Sequence, residues 1–178
     1  RYYMNDEYAD LTITCHGHIW QVHKLILCGQ SEFFKAACKR GFKEGNSNTI
    51  DFPASKAKAL SALIHYFYHF DYAVTDEKTL QYHMTMYSLA DEYLVEDLKV
   101  LVASKFRTEL AILESSEDFS DVVKFVYDNT MDSDRVLRNI VVDFVVKNKR
   151  RLATKGCDLG KLKDEIVDFI LERIWTML

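Results

Sequence analysis

The chain is predicted to be α+β in its first half and all-α in its second: a small sheet flanked by helices, followed by a helical extension. Three observations predict this. Leu11, Ile13 and Cys15 alternate with Thr12 and Thr14, the period of a half-buried strand. A second run, Ile19-Trp20-Gln21-Val22, follows after only His16-Gly17-His18, so the two read as a β-hairpin with a Gly-containing turn and Trp20 and Val22 on one face. Beyond Glu114, apolar residues recur only at three- and four-residue spacing, the period of an amphipathic helix.

Between these regions the elements follow in order. Leu25, Ile26 and Leu27 open a short helix expected to stop at Gly29. Ser31 is placed to cap the next, its hydroxyl accepting from free amides of the first turn, with Phe33, Phe34, Ala37 and Cys38 as the buried stripe and Gly41 as the stop. Asn46-Ser47-Asn48 is turn chemistry before the strand Thr49-Ile50-Asp51-Phe52, which Pro53 closes because proline has no amide to donate. After Ser55, Leu60, Leu63, Ile64, Phe67 and Tyr68 form a helical stripe that Phe70-Asp71-Tyr72-Ala73 breaks. Thr75 is the expected next cap, with Asp76 and Glu77 suited to a helix N-terminus. Leu80, Met84, Tyr87 and Tyr93 or Leu94 continue as an apolar face, and Leu98, Leu101, Val102 and Phe106 mark a helix to about Leu113. Glu114-Ser115-Ser116-Glu117-Asp118 reads as a linker. Three helical stripes follow it: Phe119, Val122, Val123, Val126 and Tyr127; after a Ser133 cap, Leu137, Ile140, Val141 and Phe144; and Leu162, Ile166, Val167, Ile170 and Ile174.

Composition narrows the function classes. With 178 residues, 48% of them hydrophobic, the chain can bury a real core. A formal charge of −4 argues against a nucleic-acid or anionic-membrane surface, each of which wants a basic patch. The one basic cluster, Lys147-Asn148-Lys149-Arg150-Arg151, suits a solvated helix end. Four cysteines without a Cys-x-x-Cys pair fit reduced thiols, hence a cytoplasmic or nuclear protein. No apolar run approaches the ~20 residues of a membrane span. The chain opens on Arg1, so it is expected to be part of something longer.

Several motifs then coincide. Asp10 starts the first strand, His23-Lys24 opens the first helix, and Ser31-Glu32-Phe33-Phe34 starts the second; Leu89-Ala90-Asp91-Glu92-Tyr93-Leu94 and Leu98 come later. Taken together they resemble the BTB (POZ) domain, especially the form common in filamentous fungi, over residues about 8 to 106. The resemblance implies an N-terminal remnant over residues 1–9, a BTB/POZ core over 10–106 and a helical extension over 107–178. It also implies an assembly module that binds proteins and catalyses nothing. Two departures stand out. The family usually carries Thr-Gly where this chain has His69-Phe70, so the local loop is expected to differ. Only nine residues precede Asp10, whereas many family dimers use an upstream helix or strand. Tyr2, Tyr3, Met4 and Tyr8 are candidates for the remnant of such an interface.

The resemblance also nominates residues. Phe42-Lys43-Glu44 matches a hydrophobic-x-Glu element with which family adaptors dock a cullin: an aromatic anchor would fill a pocket and a carboxylate would fix register. The other reading tucks Phe42 under its own domain and leaves Glu44 solvated. Tyr68 sits where cullin-binding members place a contact tyrosine, and equally fits the core side of its helix. Asp10 and Lys24 match a charged pair near the family's dimer groove, for which a structural role is favoured.

Metal and catalytic readings are weaker. Cys15, His16, His18 and His23 lie close in sequence and His65 and His69 stand at i, i+4, but the paired-ligand spacing of a zinc site is missing. No phosphate-binding glycine loop, Gly-x-Ser-x-Gly elbow or kinase signature appears. The expectation is a non-enzyme with no cofactor and no metal, acting as a homodimerising substrate adaptor of a cullin–RING ubiquitin ligase. The alternative is a self-association, scaffold or corepressor-recruiting module without a ubiquitin link.

Overall fold

The computed structural model describes residues 6–39, 47–53, 57–74, 79–113 and 116–154, together with residue 171. The elements run β1 (Leu11–Cys15), β2 (His18–Val22), α1 (Lys24–Gln30), α2 (Glu32–Ala37), β3 (Thr49–Phe52), α3 (Ala57–His69), α4 (Thr79–Glu92), α5 (Glu96–Ile112), α6 (Ser116–Asp128) and α7 (Val136–Thr154). They form two compact units: Arg1–Thr75 with Thr85–Leu101, and Asp76–Met84 with Val102–Leu178. Helices α4 and α5 contribute to both.

In the first unit the strand order is β2-β1-β3. β1 pairs with β2 as the expected antiparallel hairpin, Leu11 opposite Val22 and Cys15 opposite His18. β3 pairs with β1 in parallel, Ile13 opposite Ile50, with α1 and α2 in the connection between them. Parallel strands need such a crossover. The alternation of β1 appears as burial: Leu11, Ile13 and Cys15 are inside while Thr12 and Thr14 are half-exposed. The turn takes positive φ at His16 and Gly17, and with φ +81° the second position suits glycine. Val22 is buried, whereas Trp20 is only half-buried and stacks on His18, ring centroids 5.7 Å apart.

One residue joins α1 to α2. Helix α1 passes through Gly29 to Gln30, and the Ser31 backbone N–H closes it on Leu27 O at 3.0 Å. Ser31 Oγ then accepts the Phe34 N–H at 3.1 Å, the expected cap of α2, and donates to Tyr93 O at 2.6 Å. This hydroxyl is buried, at 2% exposure. Phe33, Phe34, Phe52, Phe67 and Tyr93 pack around it. Phe33 and Tyr93 lie 5.0 Å apart, Phe52 and Tyr93 5.5 Å, and Phe34 and Phe67 5.6 Å, all steeply inclined as the aromatic quadrupole prefers. Gln30 Nε2 donates to Phe67 O at 2.8 Å and ties α1 to α3.

Helix α3 buries Leu60, Leu63, Ile64 and Phe67 as expected, with Tyr66 completing the stripe; Tyr68 is half-buried. Leu63, Phe67 and Tyr66 face one side, and Tyr68 lies a further 100° around the helix from Phe67, at the edge of that stripe. At the C-terminus Phe70 adopts φ +55° and its N–H reaches Tyr66 O at 2.7 Å. The bulky residue at the His69-Phe70 departure therefore takes the left-handed conformation that glycine adopts at no cost, and bears about 1–2 kcal/mol of strain for it. Leu94 does the same after α4: its N–H bonds Asp91 O and the Val95 N–H bonds Ala90 O, a Schellman ending.

In the second unit Val102, Phe106 and Leu110 are buried along α5, and Phe119, Val122, Val123 and Val126 along α6. On α7 the buried residues include Leu137, Ile140, Val141 and Phe144, and Phe119 and Phe144 meet at 5.2 Å. Two boundaries differ from expectation. The linker read at 114–118 is shorter, because α6 begins at Ser116. Helix α7 starts at Val136, too far on for Ser133 to cap it; Asp134 Oδ1 accepts the Val136 N–H instead. The basic cluster falls in the last turns of α7. The features expected at Gly41, Ser55, Thr75 and Cys157, and the final stripe from Leu162 to Ile174, lie outside the described residues.

Arg138 fastens the α6–α7 connection. Its guanidinium donates to Thr130 Oγ1 at 2.9 Å, to Thr130 O and to Tyr127 O, pairs with Asp132, and covers the Tyr127 ring at 4.7 Å. His83, on α4, is 1% exposed. Burial, helped by the nearby Lys105 charge, pushes its imidazole down to about 4.

Ser31→Ala should lower unfolding stability by about 2–3 kcal/mol, because the cap is lost and the buried Tyr93 carbonyl loses its donor; a urea midpoint unchanged from wild type would refute this. His83 makes stability depend on pH. Below the ordinary histidine value of ~6.5 the unfolded chain takes up a proton that the native state refuses down to about 4. Stability should therefore fall by about 3 kcal/mol as pH drops through that window. His83→Gln should flatten that part of the profile in a melting series.

Candidate functional site

The sequence candidates divide by location. Phe42 and Glu44, and Tyr2, Tyr3 and Met4, lie outside the described residues. Tyr8, Asp10, Lys24 and Tyr68 are all placed in the first unit. There Asp10, Lys24 and Tyr68 meet at the N-terminus of α1, whose N-cap residue His23 makes no side-chain capping hydrogen bond, while Tyr8 is exposed.

Asp10 and Lys24 come together through the backbone. Asp10 Oδ1 accepts the Lys24 N–H at 2.8 Å, so a carboxylate from the start of β1 sits at the positive end of α1. The Lys24 ammonium reaches instead to Asn48 Oδ1. Asn48 holds φ +54° and its carbonyl accepts the Thr12 N–H at 2.9 Å, so this contact links α1 to the entry of β3. Neither charge is buried. The pair is a helix cap and a surface tether, and does not require the mutual compensation of two buried ions.

Tyr68 faces His23. His23 Nε2 lies 2.9 Å from Glu7 O, and since a carbonyl only accepts, Nε2 carries the hydrogen. In the neutral imidazole Nδ1 is then the acceptor, and the Tyr68 hydroxyl donates to it over 2.8 Å while accepting the His23 backbone N–H at 3.0 Å. Burial raises the phenol above its ordinary value, the His23 N–H opposes this, and the Asp10 charge adds to it. Tyr68 is thus a neutral, doubly bonded phenol at the edge of an open surface.

A cleft of about 440 Å³ runs along β2, lined by His18, Ile19, Trp20 and Gln21 with Ile64 and Tyr68 of α3. Close to it in sequence, three apolar side chains are turned outward: Leu25 is 87% exposed, Tyr8 80% and Ile19 65%. Sequence periodicity missed Leu25, since an apolar residue in the first turn of a helix reads as core. It also missed His23 as the partner of Tyr68, although the His-Lys pair marked the position.

The histidine pair on α3 has the wrong shape for chelation. The His65 and His69 rings are stacked 4.1 Å apart at 13°, so their lone pairs run side by side instead of converging on one ion. Each Nδ1 is near a carbonyl, of Asp71 and His65 respectively. Among the described residues no group of three or more His, Cys, Asp or Glu side chains is placed to hold a metal, and no helix is long and apolar enough to cross a membrane.

Comparison with known proteins converges on one family. A family model described as BTB/POZ domain matches residues 2–110. The chain is similar to an ARM repeat protein interacting with ABF2 from Arabidopsis thaliana, 24% identical over 128 residues, covering 68% of this chain and 17% of that protein. It is also similar to Kelch-like protein 26 of Danio rerio, 29% identical over 110 residues, covering 62% of this chain and 15% of the relative. Kelch repeat and BTB domain-containing protein 4 of Homo sapiens is 28% identical over 91 residues, covering 51% and 16%. The chain therefore spans under a fifth of the length of these relatives.

Tyr68→Phe keeps the ring and removes both hydrogen bonds to His23. It should lower stability by about 1–3 kcal/mol, read as a reduced urea midpoint at unchanged slope. An unchanged midpoint would mean that the phenol's bonds to His23 add nothing to the fold.

Proposed function

The chain belongs to the BTB/POZ family, whose members are protein-interaction modules, and from that premise we propose that it is an adaptor subunit of a cullin–RING ubiquitin ligase. The observation that carries the reading is the family match over residues 2–110, which contains the segment Phe42-Lys43-Glu44 on the chain leading from α2 to β3. Phe42 would supply the apolar anchor and Glu44 the charged hydrogen bond that fixes register on the cullin. Tyr68, oriented by its hydrogen bonds to His23, would offer its ring as a further cullin contact. The target would be held by a second copy or by a further domain, as the Kelch and ARM repeats in the relatives' names suggest. The chain would work in the cytoplasm or nucleus, as an assembly module and not as an enzyme.

A second reading is self-association as a scaffold, or as a corepressor-recruiting module, with no ubiquitin link. The exposed Leu25 and Tyr8 favour it, because large apolar side chains in water are covered most simply by another protein surface.

Light-scattering mass with and without a cullin N-terminal domain separates the two. Under the adaptor reading the mixture shifts to a stoichiometric complex. Glu44→Lys should then weaken cullin binding by tenfold or more, on the order of what a lost charged contact costs, while circular dichroism stays unchanged. Wild-type affinity in that variant would sink the assignment of Glu44. A chain that keeps its own mass beside the cullin, as a dimer, would leave the scaffold reading.

A further inference from the structure

Cys28 lies in α1 and Cys38 caps the C-terminus of α2. A single carbonyl brings them together: Cys28 Sγ donates to Phe34 O at 3.5 Å and the Cys38 N–H donates to the same oxygen at 2.9 Å. The Cys38 thiol is also a neighbour close enough to raise the Cys28 thiol's affinity for its proton. Both residues are only half-buried. Cys15 differs on each count, being fully buried with its thiol on Pro53 O at 3.1 Å. Because Ser31 alone joins α1 to α2, the approach of the two sulfurs is set by the helix pair itself.

We propose that Cys28 and Cys38 form an oxidant-responsive dithiol that closes reversibly to an intramolecular disulfide and pins α1 to the end of α2. The oxidant class is a peroxide, and the inference stands apart from the cullin reading. Burial, with the neighbouring Cys38 thiol adding to it, pushes Cys28 up to about 11, so Cys28 keeps its proton at neutral pH and serves as the resolving thiol. The Cys38 thiolate attacks hydrogen peroxide and the O–O bond breaks. This leaves a sulfenic acid on Cys38 and a hydroxide that takes up the former Cys38 proton to become water. The Cys28 sulfur then attacks the sulfenic sulfur: the S–S bond forms, the S–O bond breaks, and the hydroxyl leaves as water with the Cys28 proton. Two thiols and one peroxide give one disulfide and two waters, with two electrons passing from sulfur to peroxide.

The test is tryptic mapping without reductant of the full chain after hydrogen peroxide treatment and alkylation. Peptides Leu25–Lys35 and Ala36–Lys39 should appear as one linked species, about 2 Da lighter than their sum, and separate on dithiothreitol. The oxidised chain should also melt several degrees higher, because the closed loop restricts the unfolded state. Separate recovery of the two peptides, each alkylated or carrying sulfinic acid, overturns the proposal. So does a link from either to Cys157 or to a second copy. Cys38→Ser should abolish the linked species, and the wild-type map decides the question even where that variant fails to fold.

Discussion

The buried hydroxyl of Ser31 is the interaction on which the first unit depends. It closes one helix, opens the next and reaches a carbonyl 62 positions along the chain. A buried hydroxyl is costly unless it is paired, and here both its donor and its acceptor capacity are used. The turn between α1 and α2 is thereby registered against the end of α4. Phe33 and Phe34 can then enter the aromatic cluster with Phe52, Phe67 and Tyr93 in a single arrangement.

The same logic governs the start of α1. His23 offers no side-chain cap, so the first free amides are satisfied from elsewhere, by Asp10 from β1 and by Tyr68 from α3. This places a strand, a helix start and a second helix around one polar cluster. Leu25 and the face of β2 turn outward beside this cluster.

The candidate site was only partly legible in the sequence. The Asp10, His23-Lys24 and Ser31-x-x-Phe positions stood out as a pattern, yet their partners did not. Asp10 and Lys24 looked like an ion pair because opposite charges at family positions invite that reading; the fold sends the carboxylate to a backbone amide and the ammonium to Asn48. Tyr68 fell within a helical apolar stripe by spacing, and its hydroxyl sets it at the rim of that stripe. Leu25 was read only as part of the opening of a short helix, and it is exposed because a seven-residue helix buries few of its residues, Leu27 among them.

By itself the sequence determined what depends on neighbours in the chain: the alternation of β1, the hairpin turn at Gly17, the Ser31 cap and the helical stripes from Leu60 to Phe144. Periodicity and capping are short-range properties, set by 2.0 or 3.6 residues per repeat and by side chains within reach of adjacent amides. Tertiary structure alone decided the rest. It paired β3 parallel to β1, sent the Ser31 hydroxyl to Tyr93, set Tyr68 on His23, brought Cys28 beside Cys38 and forced Phe70 into a left-handed turn. Each of these joins groups far apart in sequence or bends the backbone against its local preference. Only the packing of a whole unit can select and stabilise such arrangements.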